Sequence, residues 1–337
     1  MSAPKPICAI TGDVHFTPPT LELARESVSR ALGTAEELGV SLVLNGDTLD
    51  TKDIVRAVCM NALIEVLKEA KVKVYVNTGN HDLINEKGEE HALHFLEPYA
   101  TVISKPTFVT ELESWIIPYQ SSAEKMQEIL NTIPKGSRLI IHQGVQTAFL
   151  RHYVQDKTSL LPEAFADFRV IASHYHRAQD IKCGRPRKGA VGLFSYVGSP
   201  YSTTFAEAND GPKGIAVLMD DGTLGRIPFD DFRKHVIVEC EPSDLFYVSY
   251  HLRASDLLWL KVTGPQSELK QLNKAEIGEA LLGHSNFKLD LIPTGSAPAA
   301  VETKTLTSEQ VLDKLIDNMG ETDDQKAYLK VLWREIV

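Results

Sequence analysis

Cysteine is scarce in this chain: four residues in 337, Cys8, Cys59, Cys183 and Cys240, with no close pair. A disulfide framework or a zinc–thiolate site needs thiols at short spacing, so neither organises the fold, and a reducing, cytoplasmic setting is expected. Long apolar runs are missing too. No stretch approaches the roughly 18 residues of a membrane-spanning helix, so no membrane association is expected. Met1 to Pro6 lacks the basic start and long apolar segment of a secretory leader, so none is expected. Positive charge is in deficit, with 35 Lys and Arg against 45 Asp and Glu and a formal net charge of −10. Phosphate backbones are gripped by cationic side chains, so an acidic chain is a poor nucleic-acid binder on its own. Bound divalent cations would reverse the sign locally. No internal repeat is visible.

What is present is ordinary globular composition, 43% hydrophobic and 24% charged. The length supports a sizeable core and more than one domain. An apolar strand at 6–10 is followed by a helix-spaced stretch at 20–38 closed by Gly39, a strand at 42–45, a helix at 54–70 and a strand at 72–76. That βαβ order implies a parallel sheet. A helical stretch at 89–96 carries His91 and His94, read as solvated. A strand in 108–120 and a helix at 121–130 precede strands at 138–141 and 168–172. Strands at 194–198, 214–219 and 224–229, the last two joined by an Asp-Gly turn, are expected to form a second sheet.

The character changes near 229–234. Strands at 235–240, 257–262 and 287–292, with a helix at 268–282 before the last, make a small α+β unit. Pro, Gly, Ala and Thr dominate 293–304. Two capping-box patterns, Thr307-Ser308-Glu309-Gln310 and Thr322-Asp323-Asp324-Gln325, each start a short amphipathic helix. The expected organisation is a main domain at 1–234, a small domain at 235–292, a linker at 293–306 and a helix pair at 307–337. The helix pair buries its apolar stripes either on its own domain or on a partner's helices.

The chemistry gathers at strand ends. The first three strands run into Gly12-Asp13-Val14-His15, Gly46-Asp47-Thr48-Leu49-Asp50 and Gly79-Asn80-His81-Asp82. Later strands end at His142 and at His174-Tyr175-His176. A glycine beyond a buried strand permits a sharp turn or a close approach, and open α/β sheets bind ligands beyond such strand ends. Alternation along extended backbone points Asp13 and His15 to one side. The candidate donors are Asp13, His15, Asp47, Asn80, His142, His174 and His176. Seven oxygen and nitrogen donors are too many for one tetrahedral zinc and suit two cations sharing Asp47. The ligand types favour manganese or iron, with zinc or magnesium as alternatives. Two such metals can hold a bridging hydroxide as nucleophile and clamp a phosphoryl group. His81 is the candidate acid for the leaving oxygen, kept protonated by the carboxylate of Asp50, with Asp82 as second choice. Arg177, Lys182, Arg185, Arg187 and Lys188 form a candidate basic lip for a phosphodiester backbone.

Together these motifs resemble the five signatures of calcineurin-like metallophosphoesterases, over residues 7–176. The resemblance implies an α/β fold, a two-sheet αββα sandwich with a dinuclear site. The glycine usual before the last two histidine motifs is replaced by Ile141 and Ser173. Tyr196-Val197-Gly198-Ser199-Pro200, Phe205-Ala206-Glu207 and Lys213-Gly214 are similar to the nuclease subunits of SbcCD-type recombination and repair complexes, including short phage-type recombination endonuclease subunits. That narrower likeness implies a manganese-dependent DNA exonuclease and endonuclease with a capping domain at 235–292. It implies helices at 307–336 that bind an SbcC-type coiled-coil ATPase, and a homodimer through core helices, with the 54–70 region the candidate place, within a heterotetramer. Asp50 departs from the narrower family, which often has histidine there. Two alternatives stay open: a stand-alone small-molecule phosphodiesterase or phosphatase on the same core, and a non-catalytic tethering subunit.

Overall fold

Ile7 to Ile10 is apolar on every side, the pattern of a strand with no solvent face. In a computed structural model these residues lie inside a six-stranded sheet. The structure describes residues 3–50, 54–85, 90–151, 154–184, 192–208, 210–248, 252–253, 255–272, 277–278, 281 and 287–294.

The first sheet grows in βαβ order: β1 (Pro6–Thr11), α1 (Leu21–Leu38), β2 (Ser41–Asn45), α2 (Ala57–Leu67), β3 (Val74–Asn77) and β4 (Thr101–Ile103). The four strands pair in parallel in that sequence. Helix α1 stops at Gly39, whose φ of 66° lets its N–H reach back to the carbonyls of Ala35 and Glu36. One face of this sheet, with Leu42, Leu44, Val74 and Val76, packs against Ala24, Val28 and Leu63 of the two helices.

The second sheet contains β5 (Thr107–Val109), β6 (Ser114–Ile117), β7 (Arg138–His142), β10 (Arg169–Ser173), β11 (Gln179–Lys182) and β12 (Leu193–Tyr196). Helix α3 (Ala123–Thr132) precedes β7, and a small ribbon of β8 (Phe149–Arg151) and β9 (Val154–Gln155) precedes β10. The order is β11-β12-β10-β7-β6-β5. Its central strands are parallel and its edges antiparallel. The two sheets meet through Cys8, Ile10 and Val43 on one side and Ile116, Ile140 and Ile171 on the other. Leu139, Ile141 and Val170 face outward onto Met126 and Leu130 of α3. The architecture is an α/β sandwich, two sheets between helical layers.

Several expectations shift. The hairpin of β13 (Gly214–Met219) and β14 (Leu224–Pro228) does not join β12; it pairs antiparallel with β1 and extends the first sheet. The reason is burial on both faces: Ile215 packs on the helix side while Ala216 and Leu218 pack between the sheets. Of the expected helix at 89–96, the described residues 90–96 hold one 3-10 turn, Ala92–Leu96, capped by a His91 that is buried rather than solvated and accepts from the Leu93 amide at 3.2 Å. The 108–120 stretch is the β5–β6 hairpin, not one strand.

Beyond the sandwich, β15 (His235–Cys240), α4 (Leu245–Val248), β16 (Leu257–Pro265), α5 (Gln266–Leu269) and β17 (Phe287–Thr294) form a three-stranded parallel sheet with its own core of Leu258, Leu260 and Val262. The helix expected at 268–282 is interrupted, because α5 ends at Leu269 and gives way to a turn at Lys270 and Gln271. Strand β17 runs into the first two positions of the expected linker. Residues 295–306 of that linker and the helix pair at 307–337 lie outside the described residues. No helix among the described residues is long and apolar enough to cross a membrane.

Candidate metal centre

Parallel strands deliver their C-terminal ends to one edge of the sandwich. The segments after β1, β2 and β3 carry Asp13, His15, Asp47, Asn80 and His81; β7 ends on His142, and the turn after β10 carries His174 and His176. The turns are sharp. Asp13, His15, Asp47 and His174 all have positive φ, at 53°, 49°, 48° and 115°. Such left-handed backbone costs a non-glycine residue of order 1–3 kcal/mol and clusters at functional sites. Asp13 and His15 therefore share a direction through left-handed turns beyond the strand, not through strand alternation. Asp13 N–H donates to Gly46 O at 3.0 Å and His15 N–H to Asp47 O at 3.0 Å, zipping the first two turns together.

The motif glycines make room for ligands. A Cβ on Gly46 would lie 2.2 Å from His142 Nδ1, and one on Gly79 would lie 2.2 Å from Asp47 Oδ1. A Cβ on Gly12 would lie 2.3 Å from Ser173 Oγ, so the serine that stands in place of a glycine is accommodated by the glycine opposite. Ser173 Oγ also accepts from the Asn45 side-chain amide at 3.1 Å.

Three overlapping groups could hold a metal ion: Asp13, His15 and His176; His15, Asp47 and His81; and Asp47, His142 and His174, each with its ligating atoms within 4.8 Å of one another. Asp47 Oδ2 lies 3.2 Å from His142 Nε2 and 3.9 Å from His15 Nε2. Asn80 Oδ1 lies 2.9 Å from His174 Nδ1 and 3.3 Å from His142 Nε2. The Nε2 atoms of His15 and His176 face each other at 3.1 Å. All seven expected donors are thus brought together, with His81 beside them.

Hydrogen bonds fix which ring nitrogens are free. A carbonyl only accepts, so His142 Nδ1–H donates to Asn45 O at 2.8 Å and its Nε2 faces Asp47. His176 Nδ1–H donates to Glu207 Oε1 at 3.1 Å. His81 Nδ1–H donates to the backbone carbonyl of Asp50 at 2.7 Å. Asp50 thus holds His81 through its main chain, where its carboxylate was expected; the carboxylate faces His15 Nδ1 at 3.4 Å. Asp82 does not serve the ring of His81 either. It is buried and accepts from the amides of Thr48, Leu49 and Gly79 at 3.3, 2.9 and 2.9 Å, stapling the second and third turns together.

Burial opposes charge on Asp47, yet the neighbouring His142 outweighs it and holds the carboxyl well below its ordinary range. Burial likewise opposes charge on His142, and Asp47 overrides it, raising the imidazole to about 9. His174 is pushed down to about 4 by burial and by His142, which leaves its ring neutral, the form that ligates metal. Burial and the charge on Asp47 raise Asp82 to about 7.

The cluster opens into a pocket of about 430 Å³ whose other walls include Thr17, Thr20, Thr203 and Thr204. Of the expected basic lip, Arg177 lies over the ring of Phe149 at 5.1 Å and Lys182 sits on β11; neither lines the pocket. Arg185, Arg187 and Lys188 lie outside the described residues. Residue-by-residue reading missed the roles of Glu207 and Lys213. Only their place in the Phe205-Ala206-Glu207 and Lys213-Gly214 motifs drew attention to them. No family model matches the chain, and no curated protein matches it.

Proposed function

We propose that the chain is a calcineurin-like metallophosphoesterase of the SbcCD type, a subunit that hydrolyses DNA phosphodiester bonds with two divalent cations, manganese foremost. The carrying observation is that seven oxygen and nitrogen donors from five turns on two sheets converge around Asp47. Such a set exceeds what one tetrahedral zinc uses and suits a dinuclear site. Cations bound there would supply Lewis-acid charge and activate water at neutral pH.

The chain's own residues supply the rest. The Nδ1–H of His81 is tied to the Asp50 carbonyl, so its other nitrogen is the one available to the substrate. His81 lines the pocket beside His15, with ring centroids 4.9 Å apart, where it can give a proton to the departing oxygen. His174, neutral, has one ring nitrogen without a proton, and Asn80 offers its amide oxygen. The helix pair at 307–337 would bind a coiled-coil ATPase that supplies much of the grip on DNA, which the net charge of −10 requires from elsewhere. Dimerisation would use the α2 region, where Val58 is exposed.

One observation favours a second reading, a small-molecule phosphodiesterase: among the described residues, threonines rather than Lys or Arg flank the metal-binding side chains in the pocket. The test is to supply the purified chain with manganese or EDTA and to offer linear DNA beside p-nitrophenyl phosphodiesters, with and without the ATPase partner. Manganese-dependent DNA cleavage that Asp47→Ala abolishes supports the nuclease reading. His81→Ala is expected to lose about 10²–10⁴-fold on DNA and much less on p-nitrophenyl esters, whose leaving group needs no proton. Turnover of the small esters with DNA intact throughout favours the second reading, and hydrolysis indifferent to EDTA removes both.

A further inference from the structure

The side chain that holds His176 is itself held. Glu207 enters from the short turn Phe205–Glu207. Its Oε1 accepts the His176 Nδ1–H at 3.1 Å, the Thr203 amide at 3.4 Å and the Thr203 hydroxyl. Its Oε2 accepts from Lys213 Nζ at 2.8 Å. The same ammonium donates to the main-chain carbonyl of His176 at 2.7 Å, to Ser199 Oγ at 3.0 Å and to Asp210 Oδ2 at 3.2 Å. Lys213 therefore grips His176 twice, directly at the backbone and through Glu207 at the ring. Both partners are buried, at 9% and 8% exposure. A buried ion pair of this kind is seldom more stabilising than apolar side chains of the same volume, so fold stability alone does not explain it.

The other histidines show why His176 needs such a device. His142 is tied by its ring to the main chain of Asn45, and its side chain has no exposure, whereas that of His176 is 24% exposed. His174 is fixed at its amide, which donates to both carboxylate oxygens of Asp13 at 3.0 and 3.1 Å. The aim of His176 depends on a side chain carried by a different segment of the chain.

We propose that Glu207, locked by Lys213, is a positioning residue that points His176 Nε2 into the group formed with Asp13 and His15 and keeps that nitrogen free of a proton for a cation. The inference rests on the two-metal reading above and adds a residue to it. A carboxylate accepting from the distal N–H of a ligating imidazole fixes its tautomer and raises its basicity, and loss of such a partner typically weakens metal affinity by about 10–100-fold. The effect is confined to one of the two positions, because among the described residues Glu207 bonds to His176 and to none of Asn80, His142 and His174.

The experiment uses the full chain, titrated with manganese by calorimetry and assayed for bound metal, as wild type, Glu207→Gln, Glu207→Ala and Lys213→Met. In parallel, histidine ¹⁵N spectra of the metal-free proteins report the His176 tautomer. Wild type is expected to bind two equivalents and to show His176 protonated on Nδ1 alone. In Glu207→Ala one equivalent weakens by roughly 10–100-fold while the other is unchanged, and His176 becomes a mixture of tautomers. Glu207→Gln, which keeps an acceptor oxygen in the same place, falls between, and Lys213→Met weakens the same equivalent. Two equivalents at wild-type affinity with an unaltered tautomer in Glu207→Ala would overturn the proposal even if that variant melts earlier, because the pair would then serve the fold alone. A wild type that binds no manganese removes the dinuclear reading instead. The tautomer then still decides whether Glu207 governs the ring.

Discussion

Gly46 carries no side chain, and the site depends on that. Its φ is 83°, and a methyl group there would stand 2.2 Å from His142 Nδ1 and 2.4 Å from Cγ of the same ring. His142 cannot retreat, because it is fully buried and its Nδ1–H is tied to the Asn45 carbonyl. Gly46→Ala therefore combines overpacking, roughly 1–3 kcal/mol, with a left-handed alanine, roughly 1–2 kcal/mol. The expected outcome is a protein several degrees less stable by thermal melting that has also lost manganese binding in metal analysis. Full metal content in this variant would show that the ring tolerates displacement. The same scale shows what the sequence made legible. Glycine next to Asp or Asn at three successive strand ends is a statement about residue types, and residue types are what a sequence displays. Asp50 is the counterexample. Its carboxylate is visible as a letter, but the group that holds His81 is its carbonyl, which every residue possesses and no letter announces.

Among the elements, the segment from β7 to β10 is stapled by one carboxylate. Asp156 accepts the Tyr175 hydroxyl at 2.5 Å and the amides of Thr158 and Ser159 at 2.7 and 3.1 Å, and Tyr175 stands between the two histidines of its turn. Burial works against its charge, but bonds from Ser159, Tyr175 and Thr158 outweigh it and hold the carboxyl down to about 2. The folded value lies below the unfolded value of about 3.9. The stabilisation is therefore complete above the unfolded value and is lost as pH falls toward 2. In urea melts, Asp156→Asn is expected to be less stable than wild type at pH 6, with the gap closing between pH 5 and pH 2. A gap constant over that range would mean that the charge of Asp156 carries none of the staple. Element order was legible for the first sheet, where helices α1 and α2 alternate with β1, β2 and β3 and local periodicity suffices. The partner of β13 was not, because it pairs with β1 some 200 positions away and burial on both faces leaves no alternation to read.

At the scale of the molecule, the sandwich is two sheets whose strand ends share one site. Asp13, His15, Asp47 and Asn80 belong to the first sheet, and His142, His174 and His176 to the second. Asp13, Asp47 and His142 are buried together, and isolated charges at such depth are costly. A cation bound among them would neutralise that charge and join the sheets at their common edge. Binding to the folded state alone stabilises by about 2.7 kcal/mol when free metal is one hundred times its dissociation constant. Manganese is therefore expected to raise the melting temperature by several degrees over an EDTA-treated sample, and hydrogen exchange should slow in the turns of both sheets together. Asp47→Asn removes the carboxylate common to two of the metal-binding groups and should melt at the same temperature in manganese and in EDTA. If exchange slowed only in the turns after β1, β2 and β3, the cation would be a ligand of one sheet and would add nothing to the apolar contacts and the Asn45–Ile141 bond at 2.8 Å that already join the two.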